Sequence, residues 1–252
     1  MIPLHDNVPT RSRPVVTIAV ILINVAVFLV QLSAPIQHLR TRAGNVVPVD
    51  GFSAVTAEYG FVPCEVENTC PLGNDTVNFG ANAPIIVQHV PVAVTAVTSM
   101  FLHGGWAHLL FNMLFLWIFG NNVEDRLGRL RFILFYLLGG FAALALQWAA
   151  NMSSDIPTVG ASGAISAVLA GYLVLYPRAV VITLFGWIPL PVPAMFFIAF
   201  WFVLQILGAT QGISQIGGST DNVAYFAHIG GFAFGLVTVK LLDRGRPPPL
   251  AY

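Results

Sequence analysis

Six long stretches of this chain contain at most one charged residue, and each is about as long as a helix that crosses a bilayer. A hydrocarbon core about 30 Å thick requires about 20 mostly apolar helical residues. Charged residues make up 9% of the chain, against about 25% in soluble domains, which excludes a water-soluble fold. We therefore predict an all-α polytopic membrane protein, a single membrane domain over residues 1–252 with six transmembrane helices. The predicted spans are Val15–Ala34, Trp106–Asn122, Phe132–Ala150, Val159–Tyr176, Pro193–Leu207 and Val223–Leu242.

Prolines locate the fifth span. The 42 residues between Arg178 and Asp221 carry no formal charge and are too many for one span. Proline breaks a helix interior because it lacks the amide hydrogen and clashes with the preceding turn. We therefore expect a loop first and the fifth span after it, since the first half of this segment contains Pro189, Pro191 and Pro193.

The distribution of lysine and arginine orients the spans. Cytoplasmic loops carry an excess of these residues, and an even number of spans puts both termini on one side. Only Arg40 and Arg42 fall on the other side. This predicts cytoplasmic termini, a short tail over 243–252 and a long extracytoplasmic loop over 35–105. The basic residues on the terminal side are Arg11, Arg13, Arg126, Arg129, Arg131, Arg178, Lys240, Arg244 and Arg246.

The long loop contains both cysteines of the chain, Cys64 and Cys70, between two prolines. Extracytoplasmic compartments are generally oxidising, so a small turn closed by a disulfide is predicted. Two free thiols are an alternative. A metal site built from Cys64, Glu65, Glu67 and Cys70 is a weaker one, and none of these interpretations identifies a function.

Polar residues inside the spans are informative because an unsatisfied polar group in hydrocarbon costs several kcal/mol. The first cluster opens the second span. His108 and Asn112 lie four residues apart and share a helix face. His103 lies five residues before His108, and two glycines separate it from the span. We interpret it as an interfacial loop histidine rather than a catalytic one.

The other two clusters centre on a serine and a histidine. Gly160 and Gly163 flank Ser162, so a substrate could approach its hydroxyl closely, although small residues also serve ordinary helix packing. In the sixth span Gly231 and Gly235 share the face of His228 and would let a neighbouring helix pack tightly there. Alone, that histidine fits a packing residue or a proton relay better than a catalyst.

Together the three clusters predict one catalytic site. A serine becomes nucleophilic when a base accepts its proton, and donors aimed at the developing oxyanion supply much of the catalysis. We assign Ser162 as nucleophile and His228 as base, with His108, Asn112 and the Ser162 amide as oxyanion donors. Acidic residues avoid the span interiors, so the histidine would depend on packing for its orientation.

In their order and spacing these residues resemble the rhomboid family of intramembrane serine proteases. The similarity covers nearly the whole chain and is carried by His103-x4-His108-x3-Asn112, Gly160-Ala-Ser162-Gly163 and Ala227-His228-Ile-Gly-Gly. It implies a rhomboid-like bundle, a serine and histidine dyad, and cleavage of transmembrane protein substrates within the bilayer without metal or another cofactor. It also implies that Glu124, at the cytoplasmic end of the second span, ties helices together.

The resemblance leaves some features open. Some members place a tyrosine where this chain has Ser166, so the group that stacks on His228 is undetermined. The expected substrates are spans that unwind readily near the extracytoplasmic surface, with a small residue before the cut. The fifth span and the Leu207–Asn222 loop are candidates for a moving gate.

Other assignments concern partners and location. The formal net charge is zero, so no overall field would attract nucleic acid. The compact six-span plan favours a bacterial plasma membrane, and the oligomeric state is open. The alternative function is a non-proteolytic rhomboid-like protein that binds client spans.

Overall fold

The computed structural model describes residues 2–41, 43–71, 76–77, 85–86, 90–214 and 224–245. A π-helical turn over Leu116–Gly120 joins the helices Trp106–Phe115 and Asn121–Leu127 into one continuous helix. The helices are α1 (Val15–Ser33), α2 (Gly51–Tyr59), α3 (Val92–Thr98), α4 (Trp106–Phe115), α5 (Asn121–Leu127), α6 (Arg129–Ala150), α7 (Ser162–Leu175), α8 (Ala194–Ser214) and α9 (Tyr225–Leu242).

Short strands occupy the connecting segments, which corrects the prediction of a purely helical chain. β-Branched residues favour a pleated strand, and they are frequent in the strand Val180–Phe185, where a loop was expected. Gly186, with φ +60°, makes the turn into the strand Ile188–Pro193, an edge strand that tolerates prolines. The antiparallel sheets have the orders β1-β6-β7, β2-β3 and β4-β5, built from β1 (Ile2–Asp6), β2 (Gln37–Arg40), β3 (Val46–Val49), β4 (Thr76–Val77), β5 (Ile85–Ile86), β6 (Val180–Phe185) and β7 (Ile188–Pro193).

Helices occur at each predicted span, and three of them, α1, α6 and α9, are long and apolar enough to cross a membrane. Helix α7 and residues 194–209 of α8 are shorter apolar helices. Helix α7 begins at Ser162, later than predicted, because Gly160 adopts φ +126° and interrupts the helix before it. Helix α8 continues past Leu207 to Ser214. Some predicted features lie outside the described residues: Arg42, Gly217, Gly218, Asp221, Val223 and 246–252.

The centre of the bundle is the close packing of α6, α7 and α9 through small residues. A Cβ on Gly231 would collide with the carbonyl oxygen of Gly163, and one on Gly235 would collide with that of Ala167. A Cβ on Gly163 would press on the Ala143 side chain of α6. Glycine at these positions therefore lets α9 approach the backbone of α7, and this approach sets the distance between their N-terminal ends.

Glu124 fastens the far end of the second helix to the start of α1. Its buried carboxylate accepts hydrogen bonds from the Val16 amide at 3.0 Å, the Thr17 amide at 2.7 Å and the Thr17 hydroxyl at 2.8 Å. The first amides of a helix have no partner within it, and a negative charge there is favoured by the helix dipole. Glu124 thus satisfies the N-terminus of α1.

Two further contacts complete this end of the molecule. Asp125 accepts hydrogen bonds from the amide and hydroxyl of Ser12. Arg126 forms a two-point ion pair with Asp243, just beyond α9, at 2.7 and 2.8 Å. We call Glu124, Asp125, Arg126 and Asp243 the anchor cluster. It joins the chain segments before α1 and after α9 to the same end of α5.

Residues 61–64, which lie between α1 and α4, pair with the loop that precedes α7. Cys64 and Cys70 are joined by a disulfide. The amide of Cys64 donates to the carbonyl of Ser154, and Phe61 and Thr158 exchange two backbone hydrogen bonds at 3.1 and 2.7 Å. The connection between α6 and α7 is therefore held in place directly before Ser162.

Candidate active site

Ser162 and His228 meet at the N-terminal ends of α7 and α9. The Ser162 hydroxyl lies 2.7 Å from His228 Nε2, a hydrogen-bond distance, although the two residues are far apart in the chain. The glycine packing between the helices brings both side chains to one place. A serine hydroxyl in contact with an imidazole nitrogen can lose its proton to that nitrogen as it attacks an electrophile.

The other ring nitrogen of His228 contacts Gln205 of α8. Gln205 Oε1 lies 2.7 Å from His228 Nδ1, and Gln205 Nε2 donates to the carbonyl of Trp201 at 3.2 Å. Sequence reasoning missed this residue. A usable signal was present, because an uncharged polar side chain inside an apolar span is costly and marks a specific partner.

The same helix supplies an aromatic neighbour for the histidine. The rings of Trp201 and His228 have centroids 5.8 Å apart with planes inclined by 41°. Ser166, where some rhomboids have a tyrosine, donates its hydroxyl to the Ser162 carbonyl at 2.7 Å. Trp201, rather than a residue at position 166, therefore packs beside the imidazole of His228.

His108 lies over Gly160, beside the serine. The Gly104 amide donates to His108 Nδ1 at 3.2 Å, so a neutral ring carries its proton on Nε2. A Cβ on Gly160 would stand 2.7 Å from His108 Nε2 and 3.6 Å from Ser162 Oγ. Only glycine fits there, so His108 Nε2 and the serine hydroxyl both border the space that a side chain at position 160 would occupy.

Asn112 presents a second donor one helical turn further along α4. Its side chain is buried, and its Nδ2 has no hydrogen-bond partner among the residues that the structure describes. Buried polar atoms are nearly always paired, so an unpaired one calls for an explanation. The first amides of α7, starting at Ser162, also lack intrahelical acceptors. These donors can stabilise a negatively charged oxygen.

His103 is buried rather than exposed at an interface. Its amide donates to Gln31 Oε1 of α1 at 3.0 Å, and its ring nitrogen Nδ1 contacts the Phe101 carbonyl at 3.2 Å. The ring meets that of His108 edge to face, with centroids 5.1 Å apart. His103 thus packs behind His108, and Gln31, which the sequence analysis did not single out, fixes its backbone.

A small cavity opens beside Ser162. Its walls come largely from residues with short side chains, so it would accept a small group and exclude a bulky one. The lining includes Met100, Gly140, Ala143, Thr158, Gly160 and Ala227.

Comparison with known proteins agrees with this architecture. A family model described as the Rhomboid domain matches residues 92–244. The chain is 32% identical over 168 residues to "RHOMBOID-like protein 12, mitochondrial" of Arabidopsis thaliana, an alignment that covers 60% of this chain and 47% of the relative. It is 32% identical over 154 residues to "Rhomboid protein 1, mitochondrial" of Saccharomyces cerevisiae, covering 60% and 42%. A shorter match, 43% identical over 77 residues, joins it to "Rhomboid protease GluP" of Bacillus subtilis, covering 31% and 15%.

The fold and the site define a helical membrane protein with a serine and a histidine in contact between its helices. The chain belongs to the rhomboid family, because the matching domain covers more than half of it. The family inferred from the three sequence motifs is thereby confirmed. The chain spans about half the length of the mitochondrial relatives named above.

Proposed function

We propose that this protein is an intramembrane serine endopeptidase that cleaves transmembrane segments of membrane proteins near the extracytoplasmic surface. The observation that carries the proposal is the 2.7 Å contact between the Ser162 hydroxyl and His228 Nε2. The buried Asn112 Nδ2, which has no hydrogen-bond partner among the described residues, strengthens the case, since packing alone does not need an unpaired donor. One relative, "Rhomboid protease GluP", has the word protease in its printed name.

The reaction follows the general route of serine proteases. Ser162 Oγ attacks the carbonyl carbon of the substrate while its proton passes to His228 Nε2. When the tetrahedral intermediate collapses, the C–N bond breaks and His228 returns the proton to the leaving amine. Water then attacks the acyl-enzyme with the same base, which frees the new carboxylate and restores the serine.

The oxyanion of the intermediate would lie among His108 Nε2, Asn112 Nδ2 and the Ser162 amide. Each donor belongs to a helix or a helix terminus, so little reorganisation accompanies the development of charge. Gly160, Gly163, Gly231 and Gly235 act indirectly by allowing the close approach of the chains. The mechanism uses no metal or other cofactor.

The proposed substrates are transmembrane proteins held in the lipid bilayer. A transmembrane helix pairs its own carbonyls, so a substrate must unwind locally before Ser162 can reach a peptide carbonyl. The small cavity beside the serine supports a preference for a small residue before the cut. Outward movement of α8 would admit such a segment.

We propose six spans, formed by α1, α4 with α5, α6, α7, α8 and α9, in one membrane domain with cytoplasmic termini. Two contacts support this arrangement: β1 pairs with β6, and Arg126 pairs with Asp243. The 35–105 loop and Ser162 then lie on the extracytoplasmic side, and the 243–252 tail lies in the cytoplasm. A bacterial plasma membrane stays a prediction, and several relatives carry "mitochondrial" or "chloroplastic" in their names.

Labelling with a serine-directed fluorophosphonate tests the proposal. We expect the purified protein in detergent to be labelled, and the label to be lost in both Ser162→Ala and His228→Ala. Ser33→Ala is a matched control, because its exposed hydroxyl only donates to the Val30 carbonyl within α1, and it should label like the wild type. Equal labelling in all four proteins would contradict the proposal.

The same experiment decides the second candidate function. A protein that only binds client spans has no use for an activated serine. A folded wild type that takes up no label would therefore favour client binding over proteolysis.

A further inference from the structure

Both ring nitrogens of His228 are engaged, and one of the partners comes from a third helix. Nε2 contacts Ser162 of α7, and Nδ1 contacts Gln205 of α8 at 2.7 Å. Gln205 is buried, with 9% of its surface exposed. The proposed dyad thus has a neutral amide where serine proteases with a triad have a carboxylate.

The orientation of the Gln205 amide follows from its second contact. Its Nε2 donates to the Trp201 carbonyl one turn earlier in α8. The oxygen must therefore be the atom that faces His228 Nδ1, and an amide oxygen only accepts hydrogen bonds. Nδ1 then carries the imidazole proton, which leaves Nε2 free to accept the proton of Ser162.

We propose that Gln205 is a positioning residue that fixes the tautomer and ring orientation of His228. The catalytic role of Gln205 rests on the proposed protease function, but the contact between Gln205 and His228 does not depend on that function. A carboxylate would do the same work at a high desolvation cost inside a membrane. A neutral amide sets the tautomer without placing a charge there.

The location of Gln205 on α8 has a consequence for access. Trp201, which packs beside the imidazole, belongs to the same helix. If α8 moves away from α9, the imidazole loses both its acceptor and its aromatic neighbour. The base is therefore fully oriented only while α8 is packed in the position seen here.

The test compares two variants of Gln205 with a matched control. Gln205→Leu keeps the size and removes the acceptor, whereas Gln205→Glu keeps an acceptor oxygen. Gln147→Leu is the control, because Gln147 is a buried glutamine of α6 that bonds the backbone amide of Ala227, next to His228, at 3.2 Å. It makes the same chemical change without touching the imidazole.

The first measurement is the ¹⁵N spectrum of histidine-labelled protein in detergent, with the His228 signals assigned by their loss in His228→Ala. We expect protonated Nδ1 and unprotonated Nε2 in wild type, Gln147→Leu and Gln205→Glu. In Gln205→Leu we expect a mixture of tautomers. Unchanged His228 signals in Gln205→Leu would overturn the proposal whether or not the protein is a protease.

The second measurement is the rate of fluorophosphonate labelling. We expect it to fall at least ~10-fold in Gln205→Leu, the scale of one lost hydrogen bond, and to recover in Gln205→Glu. A wild-type rate in Gln205→Leu would also overturn the proposal. If Gln205→Leu does not fold, Gln205→Met is measured in its place under the same criteria. A wild type that fails to label refutes the protease function, while the ¹⁵N spectrum still decides the role of Gln205.

Discussion

The two ends of the helix bundle hold polar clusters that differ in how completely their hydrogen bonds are satisfied. The anchor cluster is charged, and its carboxylates bind backbone amides, hydroxyls and a guanidinium. The dyad cluster, by which we mean Ser162, His228, Gln205, His108 and Asn112, has no acidic or basic residue other than histidine. It retains a buried donor, Asn112 Nδ2, with no partner in the described part of the chain.

The difference separates residues that hold the fold from residues available to a ligand. A buried carboxylate with all its hydrogen bonds made stabilises the fold, because removing it would leave the donor amides buried without an acceptor. An unpaired buried donor raises the free energy of the resting protein. That cost is offset only when a ligand supplies an acceptor. We therefore expect substitutions in the anchor cluster to change stability and substitutions in the dyad cluster to change reactivity.

The largest effect should follow from removing the nucleophile. We expect Ser162→Ala to reduce fluorophosphonate labelling and cleavage of a transmembrane reporter by at least ~10⁴-fold. Its thermal unfolding in detergent should match the wild type, because the Ser162 hydroxyl hydrogen-bonds only His228 among the described residues, and His228 keeps its contact with Gln205 in the variant. A melting temperature that falls together with activity would break the distinction between the two clusters.

Asn112→Ala should give the next largest effect. Loss of one oxyanion donor lowers the rate by about 10²–10³-fold in serine proteases, and we expect that loss in the labelling rate without a fall in stability. The matched variant is Asn122→Ala, on the same continuous helix, because Asn122 Nδ2 donates to Asp6 at 2.6 Å. It should lower stability and leave the labelling rate unchanged, and the reverse pattern would show that Asn122, rather than Asn112, contributes to catalysis.

The sequence predicted more of the site than of its supports. Ser162, His228, His108 and Asn112 could be proposed as a site because their spacing places costly polar groups on apolar helices. Gln205 could not be connected to His228 in the same way. Its contact depends on how α8 packs against α9, and no spacing within one helix reports that distance.

The connecting segments were the least predictable part of the fold. β6 pairs with β7 and also with β1, which lies before the first transmembrane helix and far away in the sequence. Prolines in this segment indicated an end of helix, which is correct, but they do not distinguish a loop from an edge strand. Helix positions followed directly from apolar length because the bilayer sets that length.

Glu124→Gln tests the anchor cluster at its most buried carboxylate. The change removes the charge and replaces one acceptor oxygen by a donor that faces the amides of Val16 and Thr17. We expect a loss of about 2 kcal/mol in the free energy of unfolding, the scale of hydrogen bonds to a charged group. Glu67→Gln, at an exposed position, is the control and should change little. Chemical or thermal unfolding in detergent measures both, and equal stabilities would remove Glu124 from the anchor cluster.

Asp243→Asn should give the smallest effect, about 0.5–1 kcal/mol, because a partly exposed ion pair contributes little. The hydrogen bond from Arg126 lowers the pKa of Asp243 below its ordinary value of 3.8. A carboxylate with a lowered pKa stabilises the fold fully above its unfolded pKa, and the contribution is lost as the pH falls through the folded value. The stability difference between wild type and Asp243→Asn should therefore be constant from neutral pH down to about pH 5 and shrink below about pH 4. If the difference instead persists unchanged into that acidic range, the ion pair is not its source, and Asp243 contributes through packing after α9.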